Sequence, residues 1–231
     1  MKFAIIAAGE GSRLASEGIK TPKPLIRING TPIIERLVRI FARHEATSIC
    51  IIVNRQQPET QAFLEALQKE FPIEIVVKDT PSSMHSLHAL SHLLHGERFC
   101  LTTVDTLFLE EEFSQYISSF KEHKGDGMMA VTDYIDDEKP LYIDTDEQLN
   151  ITAFRDTPGN DSRFISGGIY GLSPKALDIL DECMAMGIER MRNFQRRLVE
   201  SGMTLQAYPF SKIIDIDHAE DIDKAEKFLK R

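Results

Sequence analysis

The chain has 231 residues with 36 acidic against 27 basic side chains, and its net charge of −9 excludes the basic footprint of a general nucleic-acid binder. An apolar fraction of 42% beside 27% charged residues supports a sizeable core, and the length suits a single large α/β domain over residues 1–231. The first apolar run (3–8) is too short for a secretory segment or a membrane span, and the three cysteines (Cys50, Cys100, Cys183) lack metal-ligand spacing. These features predict a cytoplasmic protein with no membrane association.

Residues 2–8 (KFAIIAA) read as a buried strand running into a glycine-rich loop. Thr31 and Pro32 then start a helix over 31–44, with Thr31 as N-cap and Ile33, Ile34, Leu37, Ile40 and Phe41 at helical spacing. Strands at 48–53, 73–77 and 98–104 alternate with helices at 58–71 and 83–94, the rhythm of a mainly parallel sheet with right-handed crossovers. After a helix at 110–123 the chain turns strand-rich, with a strand at 127–134 and short ones at 141–145, 149–155 and 165–173. Helices at 174–186 and 188–201, strands at 204–210 and 212–216, and a helix at 219–230 complete the order, while 133–140 and 157–161 read as exposed loops. The predicted fold is a Rossmann-like three-layer α/β/α arrangement around a mixed, mostly parallel sheet.

The loop AAGEGSRLASEGIKTPKPL (7–25) gathers glycines with Arg13, Lys20 and Lys23 inside an acidic chain. Glycines free backbone N–H groups to cradle phosphate oxygens. The loop is not a dinucleotide fingerprint, because Leu14 stands where a third glycine would and the helix-breaking EGIKTPKP predicts no helix directly after Gly11. It is not a P-loop either, because no Gly-Lys-Ser/Thr closes it. On GEGSR alone, an exposed turn and a phosphate cradle are both open readings.

The longer pattern is more specific. Gly9-x-Gly11-Ser12-Arg13-Leu14, then Pro22-Lys23-Pro24-Leu25 with eight residues between Arg13 and Pro22, and the helix start NGTPII resemble the signature of the sugar-phosphate nucleotidyltransferases, which include the NDP-sugar pyrophosphorylases and MobA-like enzymes. A serine-rich helix start after the third strand, Asp105 at the end of the fourth, and DIDHAED near the C-terminus follow in the family's order. The resemblance implies a nucleotide-diphospho-sugar transferase (GT-A-like) fold and transfer of a nucleotidyl group from an NTP to a phosphorylated small-molecule acceptor. Such chemistry needs little covalent help from the protein: two polyanions must be brought together and the charge of the transition state neutralised. The resemblance gives this task to Arg13 and Lys23, and nucleotide binding to Ala8, Gly9, Gly11, Ser12, Arg13, Ser82, Ser83 and Ser86. Helix capping accounts for serines at a helix start equally well.

Mg²⁺ is the expected cofactor, since it takes one or two carboxylates and completes its shell with phosphates and water. By the resemblance, Asp105 and Asp215 are its ligands, with Asp217 in reserve either as a ligand or as the cap of the last helix. ISGGIYGLS resembles the family's acceptor-side strand and implicates Gly167 and Gly168 as points of close acceptor approach. The family's Glu-Lys-Pro just before it has no clean match, so Arg155 is the candidate for its lysine, and His218-Ala219 replaces the usual Thr-Pro. His85, His88, His92 and His95 share a helix face, where packed or solvated histidines are expected rather than a metal site. A catalytically silent binding relative and a dinucleotide-dependent reductase are the competing readings. The joint presence of Arg13, Lys23, Asp105 and Asp215 argues against the first, and the missing glycine against the second. The chain carries no recognisable second module, so a bifunctional enzyme is not expected. The base, the acceptor and the oligomeric state are left open by the sequence.

Overall fold

A computed structural model of the chain describes residues 1–136, 138–159 and 162–230. β1 (Lys2–Ala7) leads through the short helix α1 (Ser12–Ser16) and a 3-10 turn (Lys23–Leu25) to the small hairpin of β2 (Arg27–Ile28) and β3 (Thr31–Pro32). Then come α2 (Ile33–Arg43), β4 (Ser48–Val53), α3 (Pro58–Leu67), β5 (Ile73–Val77), α4 (Ser83–Leu94), β6 (Phe99–Thr103), β7 (Thr106–Leu107) and α5 (Glu110–Glu122). The remainder is β8 (Gly127–Thr132), β9 (Tyr142–Thr145), β10 (Ile151–Arg155), β11 (Ser162–Leu172), α6 (Lys175–Ala185), α7 (Met191–Glu200), β12 (Leu205–Pro209), β13 (Ile214–Asp215) and α8 (Ala219–Phe228).

One sheet runs β10-β9-β11-β6-β1-β4-β5, with β8 also paired to β11 and β12 beyond it. β6, β1, β4 and β5 are mutually parallel, as the alternating pattern predicts. β11 pairs antiparallel with β6, β8 and β9 and joins the two halves of the chain. Strand alternation sends Phe3, Ile5, Ile49 and Ile51 to one face, packed with α2, α3, α5 and α8. Ala4, Ile6, Cys50 and Ile52 go to the other, packed with α4, α6 and α7, which makes the three layers. Strands apolar on both faces are what such double coverage requires.

Three details correct the sequence reading. A helix does follow Gly11, but it lasts only from Ser12 to Ser16 and ends before Gly18, whose φ is +92°. Thr31 is not an N-cap: it pairs with Ile28 in the hairpin, and the helix begins at Ile33. β11 is an eleven-residue central strand rather than a short one, and its register against β8 shifts between Ser166 and Tyr170, around the two glycines. The expected loops include Asp137, Asn160 and Asp161, which lie outside the described residues.

The α2/α5 side of the core is built of aromatic rings. Phe3 stacks on Phe41 at 4.4 Å and Phe113 on Phe108 at 4.7 Å, with 5.6 Å between Phe41 and Phe113. Phe113 touches all these rings and is fully buried, so Phe113→Ala opens a cavity that its rigid neighbours cannot fill. The expected loss is about 3–5 kcal/mol of stability, measured by urea denaturation.

Candidate active site

The ends of β1 and β6 open on a cleft of about 720 Å³. Ala8, Gly9, Gly11, Ser12 and Arg13 line it from the loop, Ser82, Ser83 and Ser86 from the start of α4, and Lys23, Asp105 and Asp217 from its floor and rim. Every residue expected at the nucleotide thus faces one cavity. Gly11 has φ +64°, and a Cβ there would stand 3.3 Å from the Cβ of Lys23, so the turn into α1 calls for glycine. From below, the buried Asn54 donates its amide N–H to the carbonyl of Ala8 at 3.2 Å. The sequence reading passed over Asn54, a polar residue just past an apolar strand.

Lys23 is the electrostatic centre. Although it lies in a loop, where a lysine is expected to be exposed, its side chain is only 10% exposed. Its Nζ donates to Asp105 Oδ2 at 2.5 Å and to Asp217 Oδ1 at 2.8 Å, while Arg13 Nη1 donates to Asp217 Oδ2 at 2.8 Å. Burial alone would push the lysine pKa down; the two facing carboxylates outweigh it and the net shift is up.

The C-terminal segment comes to this lysine because β13 pairs with β7, setting Asp215 opposite Thr106, and the Ile216 N–H donates to the Asp105 carbonyl at 3.2 Å. β13 ends at Asp215, so strand alternation does not extend to Asp217. Nor is Asp217 a helix cap: Asp221 accepts from the N–H groups of Asp217 and His218 at 3.1 and 2.8 Å, and the Asp217 carboxylate turns to Lys23 and Arg13.

Two further clefts adjoin the first. One of about 580 Å³, lined by Tyr134, Gly167, Asp215, Asp217, His218 and Lys224 among others, shares Arg13 and Asp217 with it. The other, about 270 Å³, shares Thr103 and Asp105 with it and adds Asp215, Gly168, Tyr170, Lys139, Arg192 and Gln195. Asp105 therefore lies between the loop cleft and the small cleft. Asp105 and Asp215 meet in the small cleft, Asp105 and Asp217 in the loop cleft. Among the described residues no group of three His, Cys, Asp or Glu side chains is placed to hold a metal ion. In the small cleft, burial raises the Tyr170 pKa to about 12, and the charges of Asp215 and Asp105 act in the same direction.

Other expected residues sit differently. Arg155 is on β10, ion-paired with the buried Asp144, and lines none of the three clefts; Lys139 and Arg192 supply the cations of the small one. Gly168 has φ +73°, and a Cβ there would stand 2.8 Å from Thr106 Oγ1. A Cβ on Gly167 would strike the Ile213 side chain at 2.3 Å. Backbone conformation and packing against the chain itself already demand glycine at Gly168. Ser82 caps α4, accepting from the His85 N–H at 3.5 Å and donating to the Glu189 carbonyl, and the buried Ser86 hydroxyl lies 2.6 Å from that of Thr80. His88 sits 3.3 Å from Asp181, as a solvated histidine would.

Comparison with known proteins decides the family. The model of the MobA-like NTP transferase domain matches residues 3–166. The chain belongs to this family. It is similar to the bifunctional IPC transferase and DIPP synthase of Archaeoglobus fulgidus, 27% identical over 99% of this chain and 44% of that protein. It is also similar to the mannose-1-phosphate guanyltransferase of Schizosaccharomyces pombe, 28% identical over 78% of this chain and 52% of that one. The chain thus spans about half the length of these relatives. Among solved structures, the inositol-1-phosphate CTP transferase of T. maritima shares the fold with a TM-score of 0.81, at 16% identity over 99% of this chain and 97% of that one. No helix among the described residues is long and apolar enough to cross a membrane.

The His218-Ala219 departure has a structural partner that the sequence did not suggest. Glu17, just after α1, meets His218 Nδ1 at 2.6 Å and accepts from the Ala219 N–H at 2.7 Å, tying the glycine loop's helix to α8. The Ala219 N–H and then His218 hold the Glu17 pKa below its ordinary value. Glu17 raises that of His218, with Asp221 and Glu138 adding to it. The histidine's contribution to stability is complete below its ordinary pKa of 6.5 and is lost as pH rises through the raised value. The glutamate's is complete above 4.5 and is lost as pH falls through the lowered value. The denaturation midpoint of the native chain should therefore exceed that of His218→Gln most between pH 4.5 and 6.5, and the gap should narrow above that window. A gap of constant size up to about pH 9 would show that no charged pair forms.

Proposed function

We propose that this protein transfers a nucleotidyl group from an NTP to a phosphomonoester, a sugar-1-phosphate or a comparable phosphorylated small molecule, and releases pyrophosphate. An acceptor phosphate oxygen forms a bond to the α-phosphorus, the bond from that phosphorus to the α–β bridging oxygen breaks, and both electrons leave with pyrophosphate. The observation that carries the reading is Lys23 in the glycine-loop cleft, paired with Asp105, the carboxylate that this cleft shares with the small one, and with Asp217, which Arg13 also holds. A cation beside that shared carboxylate can serve the α-phosphate and the incoming phosphate together. Arg13, a multidentate donor beside the loop's N–H groups, suits the departing phosphates.

In the same reading the small cleft takes the acceptor, with Lys139 and Arg192 as its cations. The hexose and inositol phosphates in the names of the relatives support an acceptor of this size and charge. The aspartates are hard oxygen donors and fit Mg²⁺: Asp105 with Asp215, or with Asp217, would hold it. When bound, it supplies charge neutralisation on the phosphates. The cytoplasm is the compartment proposed for the reaction.

A pyrophosphate-release screen of the four NTPs against phosphorylated acceptors, with and without Mg²⁺, tests the proposal; no release from any pair would end it. Once a pair is found, Lys23→Ala should lower kcat by about 10²–10³-fold, as for loss of an electrostatic stabiliser. Because this lysine is buried between two carboxylates, the variant should also lose about 1–3 kcal/mol of stability. An unchanged kcat would remove Lys23 from the reaction.

A further inference from the structure

The wall of the small cleft holds a buried polar atom, Gln195 Oε1, that nothing among the described residues satisfies. Gln195 on α7 is 2% exposed, yet its Oε1 has no hydrogen-bond partner among the described residues, while the Ser166 hydroxyl on β11 and the Gln195 side chain interact with the Tyr170 hydroxyl. Both side chains line the small cleft and flank the hydroxyl end of the buried Tyr170. Buried amide oxygens are normally paired, so an orphan in a cavity wall points to a donor that arrives with a ligand. Oε1 can only accept, whereas Ser166 Oγ can donate or accept. The terminal amide torsion of glutamine is soft, so Oε1 can meet a group seated in the cleft without movement of α7.

We propose that Gln195, assisted by Ser166, is a specificity-determining residue that selects acceptors bearing hydroxyl groups beside the phosphate, that is, phosphorylated polyols or sugars, and disfavours quaternary-ammonium phosphomonoesters. The inference rests on the reading of this cleft as the acceptor site. A polyol brings O–H donors for Oε1 and, on the same carbons, oxygens that accept from Ser166. A trimethylammonium group has no donor and would leave Oε1 desolvated and unpaired. It also gains little here, because Tyr170 is the only aromatic ring among the residues lining this cleft, so no cage of aromatic faces surrounds it. The charge of the cleft adds nothing for a cation either, since Lys139 and Arg192 stand against Asp105 and Asp215.

The test compares the native protein with Gln195→Leu, which keeps the volume and removes the acceptor. Inositol-1-phosphate, glucose-1-phosphate and phosphocholine are used as acceptors with the NTP identified by the screen. For the polyol phosphates, KM should rise roughly tenfold in Gln195→Leu, as for loss of one hydrogen bond, with KM for the NTP unchanged. For phosphocholine, KM should stay the same or fall. A rise equal for all three acceptors, or no rise for the polyols, overturns the proposal, as does native preference for phosphocholine. Thermal melting of Gln195→Leu at or above the native midpoint is expected, since an unpaired buried oxygen is removed; Gln195→Glu, of the same shape, is a second variant should the first melt early. If no pair turns over, the reaction reading fails separately. Ligand-observed NMR of inositol-1-phosphate against native and Gln195→Leu protein then decides this proposal, with equal binding overturning it.

Discussion

The architecture of the site depends on one ammonium group held by two carboxylates. Lys23, Asp105 and Asp217 come from the glycine-rich loop, the end of β6 and the segment after β13, with 82 and 194 residues separating the lysine from its partners. Neither carboxylate would be stable facing the other at this distance without the cation, and the lysine would not be stable so buried without them. The three segments therefore constrain one another. In the proposed reaction, a polyphosphate entering the cleft would offer Lys23 and Arg13 new anions and leave the aspartates with less counter-charge. Internal ion pairs keep these charged side chains oriented, the preorganisation that the proposed reaction would require.

Much of this was legible in the sequence because each signal was local. The alternation of apolar runs with periodic helices gave the parallel half of the sheet. The spacing from Gly9 to Leu25 fixed the loop, and an aspartate after an apolar strand marked the end of β6. What escaped was set by contacts distant in sequence. Asn54 matters because it reaches back to Ala8, Glu17 because α8 begins beside it, and Gln195 because α7 packs it beneath the small cleft. The burial of Lys23 was not legible because nothing near it in the chain announces Asp217. Arg155 failed for a related reason: its place on β10 was legible, but the pairing of β10 with β9 brings it to Asp144 and away from the clefts. Local propensity also erred where tertiary pairing won, as when Thr31 entered a hairpin instead of capping a helix.

The central strand links the sheet to the chemistry. β11 changes register against β8 at Gly167 and Gly168, and the left-handed Gly168 admits the Thr106 side chain, whose hydroxyl bonds that of Thr103 at 2.8 Å. Those two threonines bracket Asp105. The turn that aims this carboxylate at Lys23 is thus packed against an irregularity in the strand that also carries Ser166 and Tyr170 into the small cleft. A regular strand there would thrust a side chain into the turn and displace the aspartate shared by both cavities. The bulge thus holds in place the turn that carries Asp105, and the left-handed Gly168 answers first to the protein's own packing.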